Sequence, residues 1–208
     1  MKTKIILTGS QSTGKSSVLN YFQNTYLNCI TEVARNLAKQ GVKINEGGDD
    51  DGQVKIFETY EKLLNQDIDY ISDRGLTDVL AYSFYLYKRG RVSSEVLNNQ
   101  KMRVKEFFEH NPNILVFYFP IEFDVVSDGV RSTDPDFRNE IDEYIENFLG
   151  EFIPNKYYTI HGTVEERIRF IIDKVDDLLI DDLDSIDDDY EKNGSKTCDL
   201  KKVFHITM

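Results

Sequence analysis

The chain has 208 residues, a length typical of one domain, and its 40% hydrophobic and 12% aromatic content is sufficient for a hydrophobic core. This composition excludes a chain that is disordered throughout. The net charge of −12 disfavours binding through a basic surface, so we expect no nucleic-acid partner. The negative charge is concentrated in residues 176–191, which contain nine acidic residues and no Lys or Arg, and the remainder of the chain carries only −3.

The sequence predicts a location in the cytoplasm. No apolar run reaches the length of a transmembrane helix, so we expect no membrane partner. The first residues, MKTKIILTGS, contain an apolar run of three or four residues, which is too short for a signal peptide. Two cysteines, Cys29 and Cys198, do not make a disulfide framework, and this agrees with a reducing compartment.

The first quarter of the chain predicts alternating strands and helices. Residues 4–9 (KIILTG) are typical of a buried parallel strand, and residues 14–23 of a helix. A second strand is predicted at 26–31 and a second helix at 32–41. Residues 41–52 contain four glycines and three consecutive aspartates without periodicity, and they predict a loop.

The middle of the chain continues this alternation. An amphipathic helix is predicted at 53–66, a strand at 69–73 and a helix at 76–90. Residues 93–110 predict a further helix with Ser93 as its cap. The consecutive apolar residues of 113–120 (NILVFYFP) are the clearest strand signal in the chain.

The last part begins with a polar loop at 121–137, followed by a helix at 140–153, a strand at 156–162 and a helix at 163–180. Strands that alternate with helices predict an α/β fold with three layers, in which about five parallel strands carry helices on both faces.

The periodicity ends near residue 180. We therefore expect one domain over residues 1–180 and an acidic, mobile C-terminal tail over residues 181–208.

Residues 9–16 match the phosphate-binding pattern G-x-x-x-x-G-K-[ST] and lie between a predicted strand and a predicted helix. Gly9 allows a tight turn, and Gly14 lets the backbone approach a phosphate without a Cβ clash. Lys15 is placed to reach the β and γ phosphates and Ser16 to coordinate Mg²⁺, at the positive end of the helix. The residues of this segment predicted to bind ATP are Gly9, Ser10, Gln11, Ser12, Thr13, Gly14, Lys15, Ser16 and Ser17.

The motif does not by itself separate a kinase from a GTPase, an ATPase or a motor. A chain of this size has no room for a motor module, and it lacks the NKxD guanine signature of GTPases. A small kinase or a small ATPase remains.

Two charged pairs follow predicted strands. Asp73 and Arg74 follow the third strand, where Mg²⁺ or a reacting hydroxyl would lie beside the phosphate loop. The alternative is that Asp73 caps the next helix and Arg74 makes a surface ion pair. Glu32 and Arg35 follow the second strand, and Glu32 is placed to orient or deprotonate an acceptor hydroxyl. Its alternative role is to stabilise a helix N-terminus.

The polar loop at 121–138 is predicted to close over a triphosphate and to neutralise the charge on the transferred group with Arg131 and Arg138. The alternative is a solvated connection in which these arginines pair with nearby acids. Tyr82 belongs to a run that is typical of a core face, and contact with a base is its alternative role.

Together these motifs resemble the NadR-like family of P-loop kinase domains, and more distantly thymidylate and deoxynucleoside kinases. The resemblance rests on the phosphate loop, TEVAR at 31–35, SDRGLTDVLAYS at 72–83 and DGVRSTDPDFR at 128–138. Many members are encoded by bacteria or phages, so the compartment would be the host cytoplasm if a phage encodes this chain.

The resemblance implies a role for each matching residue. Lys15 and Ser16 would hold ATP and Mg²⁺, and Asp73 would lie near the metal and the acceptor. The residues implied to contact the acceptor or its phosphate are Glu32, Arg35, Arg74, Tyr82 and Asp128. Arg131 and Arg138 correspond to the DGxR loop, and Gly162 and Thr163, after the last strand, would lie near the adenine.

We therefore expect transfer of the ATP γ-phosphoryl group to a nucleoside or nucleotide, with Mg²⁺ required. The residues expected to carry the catalysis are Lys15, Asp73, Glu32, Arg131 and Arg138. The sequence leaves open whether the acceptor group is a hydroxyl or a phosphate and whether the chain forms a homodimer. The alternative function is an ATP-binding switch or ATPase that engages a protein partner.

Overall fold

The computed structural model describes residues 2–122 and 134–190, and it describes side chains as far as Leu178. Twelve α-helices and β-strands and one short 3₁₀ helix follow one another along these residues. They are β1 (Lys4–Thr8), α1 (Lys15–Phe22), β2 (Asn28–Ile30), α2 (Val33–Lys39), the 3₁₀ helix Asn45–Gly47, α3 (Asp50–Leu64), β3 (Tyr70–Ser72), α4 (Leu76–Tyr87), α5 (Ser94–His110), β4 (Leu115–Tyr118), α6 (Pro135–Phe152), β5 (Tyr157–Thr159) and α7 (Val164–Tyr190).

The strands form one parallel sheet in the order β2-β3-β1-β4-β5. The chain fills one side of β1 with β2 and β3 and then crosses to the other side with β4 and β5. Such a reversal leaves a crevice at the carboxyl ends of the central strands, where open α/β sheets bind ligands. The predicted fold class and all five predicted strands are confirmed.

Both faces of the sheet are covered, because neighbouring side chains along a strand point to opposite faces. Ile6 packs with helices α2 to α6 on one face, while Ile5 and Leu7 pack with α1 and α7 on the other. All three of these side chains are buried. Burial of a large apolar side chain contributes about 1.5–3 kcal/mol to folding, so the two layers of helices together fix the position of the sheet.

The predicted loop at 41–52 is partly wrong. It contains the 3₁₀ helix, and α3 begins at Asp50, three residues earlier than the periodicity indicated. Asp49 caps this helix, since its Oδ1 accepts a hydrogen bond of 3.1 Å from the backbone N–H of Gly52. Consecutive aspartates lack apolar periodicity, but they favour the positive end of a helix, and that preference decides the local structure.

The helix predicted at 140–153 begins earlier, at Pro135. Asp134 caps it by accepting a hydrogen bond of 2.9 Å from the backbone N–H of Asp136, and proline is favoured in the first turn. Of the predicted closing loop at 121–138, residues 123–133 lie outside the described residues, and with them Asp128 and Arg131.

Helix α7 continues to Tyr190, ten residues beyond its predicted end. The boundary between the domain and the tail at residue 180 therefore falls within a helix, and residues 191–208 of the predicted tail lie outside the described residues. The division of the chain at this point stays a prediction. In the described part of the chain, every helix is too short or too polar to cross a membrane.

Candidate active site

A cleft of about 450 Å³ opens at the carboxyl ends of β1, β2 and β3. It brings together the phosphate loop, the two charged pairs that follow β2 and β3, and two tyrosines from α3 and α4. Its lining consists of Gln11, Ser12, Thr13, Gly14, Lys15, Ser16, Ser17, Glu32, Val33, Ala34, Arg35, Ile44, Asn45, Tyr60, Asp73, Arg74, Tyr82 and Val164.

The phosphate loop, residues 9–16, has the backbone that its glycines predict. Gly9 has a φ of +136° and Gly14 a φ of +89°, values that a residue with a side chain rarely adopts. A Cβ on Gly9 would lie 2.4 Å from the carbonyl oxygen of Phe119. Ser12 adopts the left-handed conformation without being a glycine, with a φ of 58°, so the loop is held by contacts from outside it.

Lys15 is folded back against its own loop. Its Nζ donates hydrogen bonds to the carbonyl oxygens of Gly9, at 2.7 Å, and Ser10, at 2.6 Å, and to Oγ1 of Thr13, at 2.9 Å. Burial, followed by the positive charge of Arg74, lowers the pKa of the Lys15 ammonium to about 7. An arriving polyanion would favour the charged form and strengthen the interaction.

Asp78, which sequence reasoning missed, lies buried beneath the loop. Its carboxylate accepts hydrogen bonds from the Thr8 hydroxyl at 2.7 Å and from the backbone N–H groups of Gly9 at 3.2 Å and Gly75 at 2.8 Å. Asp78 thereby joins the end of β1 to the start of α4. Asp78 lies in the DRGLTD segment of the sequence. It was missed because an acidic residue in the first turn of a helix is already explained by its favourable interaction with the helix dipole.

Asp73 and Arg74 both line the cleft. The Asp73 carboxylate accepts a hydrogen bond from the backbone N–H of Glu32, and burial raises its pKa. Within the described residues, Oδ1 of Asp73 has no hydrogen-bond partner. The cap of α4 is Gly75, with Asp78 in its capping box, so the alternative in which Asp73 caps that helix is wrong.

Arg74 does not make a surface ion pair. Its Nη1 lies 3.6 Å from Oδ1 of the fully buried Asp78 and has no hydrogen-bond partner in the described part of the chain. The guanidinium carbon lies 5.3 Å from the ring centre of Tyr82, a cation–π distance. Tyr82 lines the cleft and also packs against Phe137, with the two ring planes at 71°.

Glu32 and Arg35, which follow β2, also line the cleft. Arg35 Nη1 lies 3.2 Å from Oε2 of Glu32. Glu32 precedes α2 in the left-handed conformation, with a φ of 58°, and its side chain makes no capping hydrogen bond. A strained residue of this kind costs on the order of 1–3 kcal/mol, and such residues concentrate at functional sites.

A small extension of about 60 Å³ continues the cleft between α3 and α4. Tyr60 and Asn45 line both the cleft and its extension, and sequence reasoning missed both. Tyr60 lies on the apolar face of α3, where periodicity assigns it to the core, and Asn45 lies in the segment predicted as a loop. The sequence around Tyr60 is that of a core position and the sequence around Asn45 that of a turn, so nothing in it marks either residue as part of a site.

The phosphate loop is also held from α6 and α7. Asp142 accepts a hydrogen bond of 3.2 Å from the backbone N–H of Ser10 and one of 2.9 Å from the Tyr118 hydroxyl. Arg138 belongs to α6, and its guanidinium donates to backbone carbonyls of the loop, as does Arg167 of α7. Asp142 and Arg167 were missed, although both are charged residues within the apolar stripe of an amphipathic helix.

Gly162 and Thr163 directly precede α7. Thr163 and Glu166 form a capping box, in which Glu166 accepts from the Thr163 backbone N–H at 2.8 Å and donates its own N–H to Oγ1 of Thr163 at 3.3 Å. Val164, the next residue, lines the cleft. The contact of Gly162 and Thr163 with adenine stays a prediction.

The residues of the cleft fit a nucleotide and a magnesium ion. Ser16 is exposed at the start of α1, and the unpartnered Oδ1 of Asp73 supplies a carboxylate oxygen. No cluster of three or more His, Cys, Asp or Glu side chains able to hold a metal occurs among the described residues. Mg²⁺ is commonly bound by one or two protein oxygens together with substrate phosphates and water, and the Ser16 hydroxyl and Oδ1 of Asp73 are oxygens of this kind.

The fold is that of solved P-loop kinases. Deoxyadenosine kinase from M. mycoides, solved with dCMP and dCDP, is 15% identical at a TM-score of 0.56, and the match covers 85% of this chain and 100% of that chain. NadR in complex with NR is 18% identical at a TM-score of 0.62 over 85% of this chain. The match covers 51% of NadR, so this chain spans about half of its length.

Thymidylate kinase from Candida albicans shares the same fold at 12% identity and a TM-score of 0.54, with 84% of this chain and 91% of that chain covered. Among curated proteins, a search finds no match. A profile of the AAA domain family AAA_28 matches residues 4–167, which include the phosphate loop and every described residue of the cleft. The chain therefore belongs to this family of AAA domains.

Proposed function

We propose that this protein is a kinase that transfers the γ-phosphoryl group of ATP, with Mg²⁺, to a hydroxyl group of a small nucleoside. The observation that carries the proposal is the shared cleft. It contains the phosphate loop together with charged and aromatic side chains that follow β2 and β3 or belong to α3 and α4. We call this second group the acceptor end; it consists of Glu32, Arg35, Tyr60, Asp73, Arg74 and Tyr82.

The acceptor end separates a kinase from a switch. A nucleotide-dependent switch needs a phosphate loop and an element that responds to the γ-phosphate, but it needs no second set of groups around the reacting phosphate. A kinase must hold its acceptor in line with that phosphate. Tyrosine rings suit the flat face of a base, and carboxylates and arginines suit a sugar hydroxyl or a phosphate.

The charges favour a hydroxyl acceptor. Arg35 lies 3.2 Å from a carboxylate oxygen of Glu32, and Arg74 lies 3.6 Å from one of Asp78. Each arginine of the acceptor end thus already faces a carboxylate. Among the described residues of the acceptor end, a phosphate monoester, with a charge of roughly −1.5 to −2, would lie beside Glu32 and Asp73 and would compete with these carboxylates for the two arginines. A hydroxyl is neutral and gains from a nearby carboxylate.

The proposal assigns a role in the reaction to individual residues of the site. Lys15 leaves its backbone partners to bind the β and γ phosphates, and the first N–H groups of α1 contribute further positive charge. Asp73 is the candidate to accept the hydroxyl proton, and Glu32 orients the sugar. Ser16 and Asp73 would hold Mg²⁺, which neutralises charge on the phosphates when bound. Positioning and charge neutralisation supply most of the acceleration.

Relatives of this fold support a nucleoside or nucleotide acceptor. The neighbours described above are a deoxyadenosine kinase, a NadR protein solved with NR and a thymidylate kinase. Nicotinamide riboside and deoxynucleosides are therefore the first acceptors to test.

The test measures ADP release from ATP and Mg²⁺ in the presence of nicotinamide riboside, ribonucleosides, deoxynucleosides and their monophosphates. We expect one nucleoside to stimulate release and to yield its monophosphate in an amount equal to the ADP. Stimulation by a monophosphate alone would refute the proposal that the acceptor group is a hydroxyl, but the proposal of kinase activity would stand. Binding of ATP without stimulation by any acceptor would refute the kinase and favour the switch or ATPase.

Asp73→Asn tests the chemical step. Loss of the carboxylate, which would accept the hydroxyl proton and help to hold Mg²⁺, should lower kcat by roughly 10²- to 10⁴-fold, while the Kd for ATP measured in the absence of Mg²⁺ stays within about threefold. Asp67→Asn, at an exposed position outside the cleft, is the matched control and should change neither quantity. Undiminished turnover of Asp73→Asn would remove Asp73 from the reaction.

A further inference from the structure

Three consecutive carbonyl groups of the phosphate loop accept hydrogen bonds from arginine side chains. Arg138 of α6 donates Nε to Gln11 O at 2.9 Å and Nη2 to Ser12 O at 3.2 Å. Arg167 of α7 donates Nη1 to Thr13 O at 2.7 Å. The two arginines come from helices that lie more than 120 residues along the chain from the loop.

The side chains of Arg138 and Arg167 are both buried. Arg138 is 5% exposed and Arg167 only 1% exposed. Arg167 also donates Nε to Gly162 O at 2.9 Å and pairs through Nη2 with Glu122, and its guanidinium lies over the ring of Phe119. Burying a guanidinium is costly unless its donors are satisfied, so these bonds decide where each arginine is held.

The geometry of the peptide bond gives these contacts a consequence for ligand binding. Across a trans peptide, the C=O of one residue and the N–H of the next point in opposite directions. Holding the carbonyls of Gln11, Ser12 and Thr13 toward the arginines therefore turns the N–H groups of Ser12, Thr13 and Gly14 away from them. An array of N–H groups with one direction is what a phosphate-binding nest requires.

The loop needs this support because its conformation is strained. Ser12 holds a φ of 58° without being a glycine, and its Oγ is buried with no hydrogen-bond partner in the described part of the chain. The bonds that Ser12 and its neighbours accept from Arg138 and Arg167 compensate for that strain. Without them the peptides are free to rotate toward conformations that ordinary residues prefer.

We propose that Arg138 and Arg167 are positioning residues that hold the phosphate loop open for an anion and so set the affinity for the triphosphate. The inference rests on the proposed function and changes one assignment of the sequence analysis. Arg138 acts on the loop from behind, through two backbone carbonyls, and not on the transferred phosphoryl group.

The experiment compares Arg138→Lys, Arg138→Met, Arg167→Lys and Arg167→Met with the wild type. Binding of ATP is measured directly by calorimetry without acceptor, the thermal unfolding midpoint is recorded, and KM and kcat are determined with the acceptor found above. Arg103→Met is the matched control, because Arg103 also pairs with a carboxylate, that of Glu61, and lies over an aromatic ring, that of Phe57, away from the loop.

We expect the methionine variants to raise the Kd for ATP at least tenfold and the KM for ATP in parallel. The KM for the acceptor should change less than about threefold. Each lysine variant keeps the charge but not the fork of donors, and it should bind ATP between wild type and methionine. Arg103→Met should lower the unfolding midpoint and leave the Kd for ATP unchanged.

Three results would overturn the inference. Unchanged ATP affinity in folded variants of both arginines would make them purely structural, like Arg103. A lower kcat with unchanged ATP affinity in the Arg138 variants would show that Arg138 acts on the transferred phosphoryl group. If the lysine variants bind ATP as tightly as the wild type, the arginines do not position the phosphate loop. This result holds even where a methionine variant does not fold. The binding measurement needs no acceptor, so it stands if the proposed kinase activity fails.

Discussion

Lys15 has two competing sets of partners. In the structure its Nζ bonds to two backbone carbonyls and a hydroxyl of its own loop, and burial lowers the pKa of its ammonium from 10.5 to about 7. A bound triphosphate would replace neutral oxygens with charged ones and raise that pKa again. At pH 7 the ligand-free lysine is thus about half protonated, and a bound triphosphate favours its charged form.

This predicts proton uptake when ATP binds. Between about pH 7 and about pH 10, the ligand-free lysine is largely neutral and the ligand-bound lysine is charged, so ATP affinity should fall by up to about tenfold for each pH unit. Over the same interval, Lys15 makes the free energy of unfolding of the ligand-free protein increase with pH, because the unfolded chain binds the proton more tightly.

Calorimetry at about pH 8 in two buffers of different ionisation enthalpy measures the protons directly. We expect close to one proton taken up per ATP by the wild type and none by Lys15→Met at a concentration high enough to saturate it. Equal heats in the two buffers for the wild type would show that Lys15 does not change its protonation state.

At the scale of elements, the connection between β1 and α1 forms the phosphate-binding part of the site. The strand ends at Thr8, the loop turns at Gly9, and the helix begins at Lys15. Phe119, just after β4, packs its backbone so closely against Gly9 that no side chain fits there. The neighbouring strand therefore shapes the phosphate loop as much as the loop's own sequence does.

Gly9→Ala should accordingly be more destabilising than a glycine substitution that meets only backbone strain. Its Cβ would lie 2.4 Å from Phe119 O at a φ of +136°, and we expect a loss of roughly 3 kcal/mol or more in the free energy of unfolding. Gly41→Ala is the control, since Gly41 has a φ of +92° but, among the described residues other than its chain neighbours, no atom lies within 4 Å of its Cβ position. It should lose about 1 kcal/mol.

Chemical denaturation of the two variants and the wild type measures the difference. Equal losses for Gly9→Ala and Gly41→Ala would mean that the backbone of Phe119 moves aside without cost. The close packing of β4 against the loop would then not be needed to form the site.

At the scale of the whole molecule, α7 connects the far edge of the sheet to the phosphate loop. Its apolar contacts with α1 and the sheet come from residues such as Ile171, Val175 and Leu178, and its Arg167 reaches the loop. All of these residues precede residue 180. Where the side chains of α7 are described, the helix reaches the phosphate loop through Arg167, in its first turn.

A chain that ends at residue 180 should keep the fold and the ATP affinity. We expect its thermal unfolding midpoint to lie within about 3 °C of the full chain, since no described core residue is removed. Residues 181–190 contain six aspartates and no Lys or Arg, so their removal takes away repulsion between like charges along the helix. A chain that ends at residue 190 is the control for removal of the segment outside the described residues.

A large fall in the midpoint of the 1–180 chain, with the 1–190 chain unaffected, would contradict the predicted boundary. It would show that the acidic part of α7 contributes to the fold.

Signals that are local in the chain could be read without the structure. The phosphate loop has a fixed spacing between its glycines and its lysine, and the five strands are short apolar runs bounded by turns. Both follow from sterics and periodicity within about ten residues. For the same reason, the pairs Glu32–Arg35 and Asp73–Arg74 were found, because each directly follows a strand. The early starts of α3 and α6 were missed because aspartate caps carry no apolar periodicity.

The sequence by itself determined the order of strands and helices along the chain, the phosphate loop and the two pairs that follow β2 and β3. Only the tertiary structure decided the strand order β2-β3-β1-β4-β5 and the charged residues that support the loop. Asp78, Asp142, Arg138 and Arg167 reach it across 69, 132, 127 and 154 residues. Hydrogen bonds between such distant positions leave no periodic trace, because they exist only once the sheet has brought the helices together.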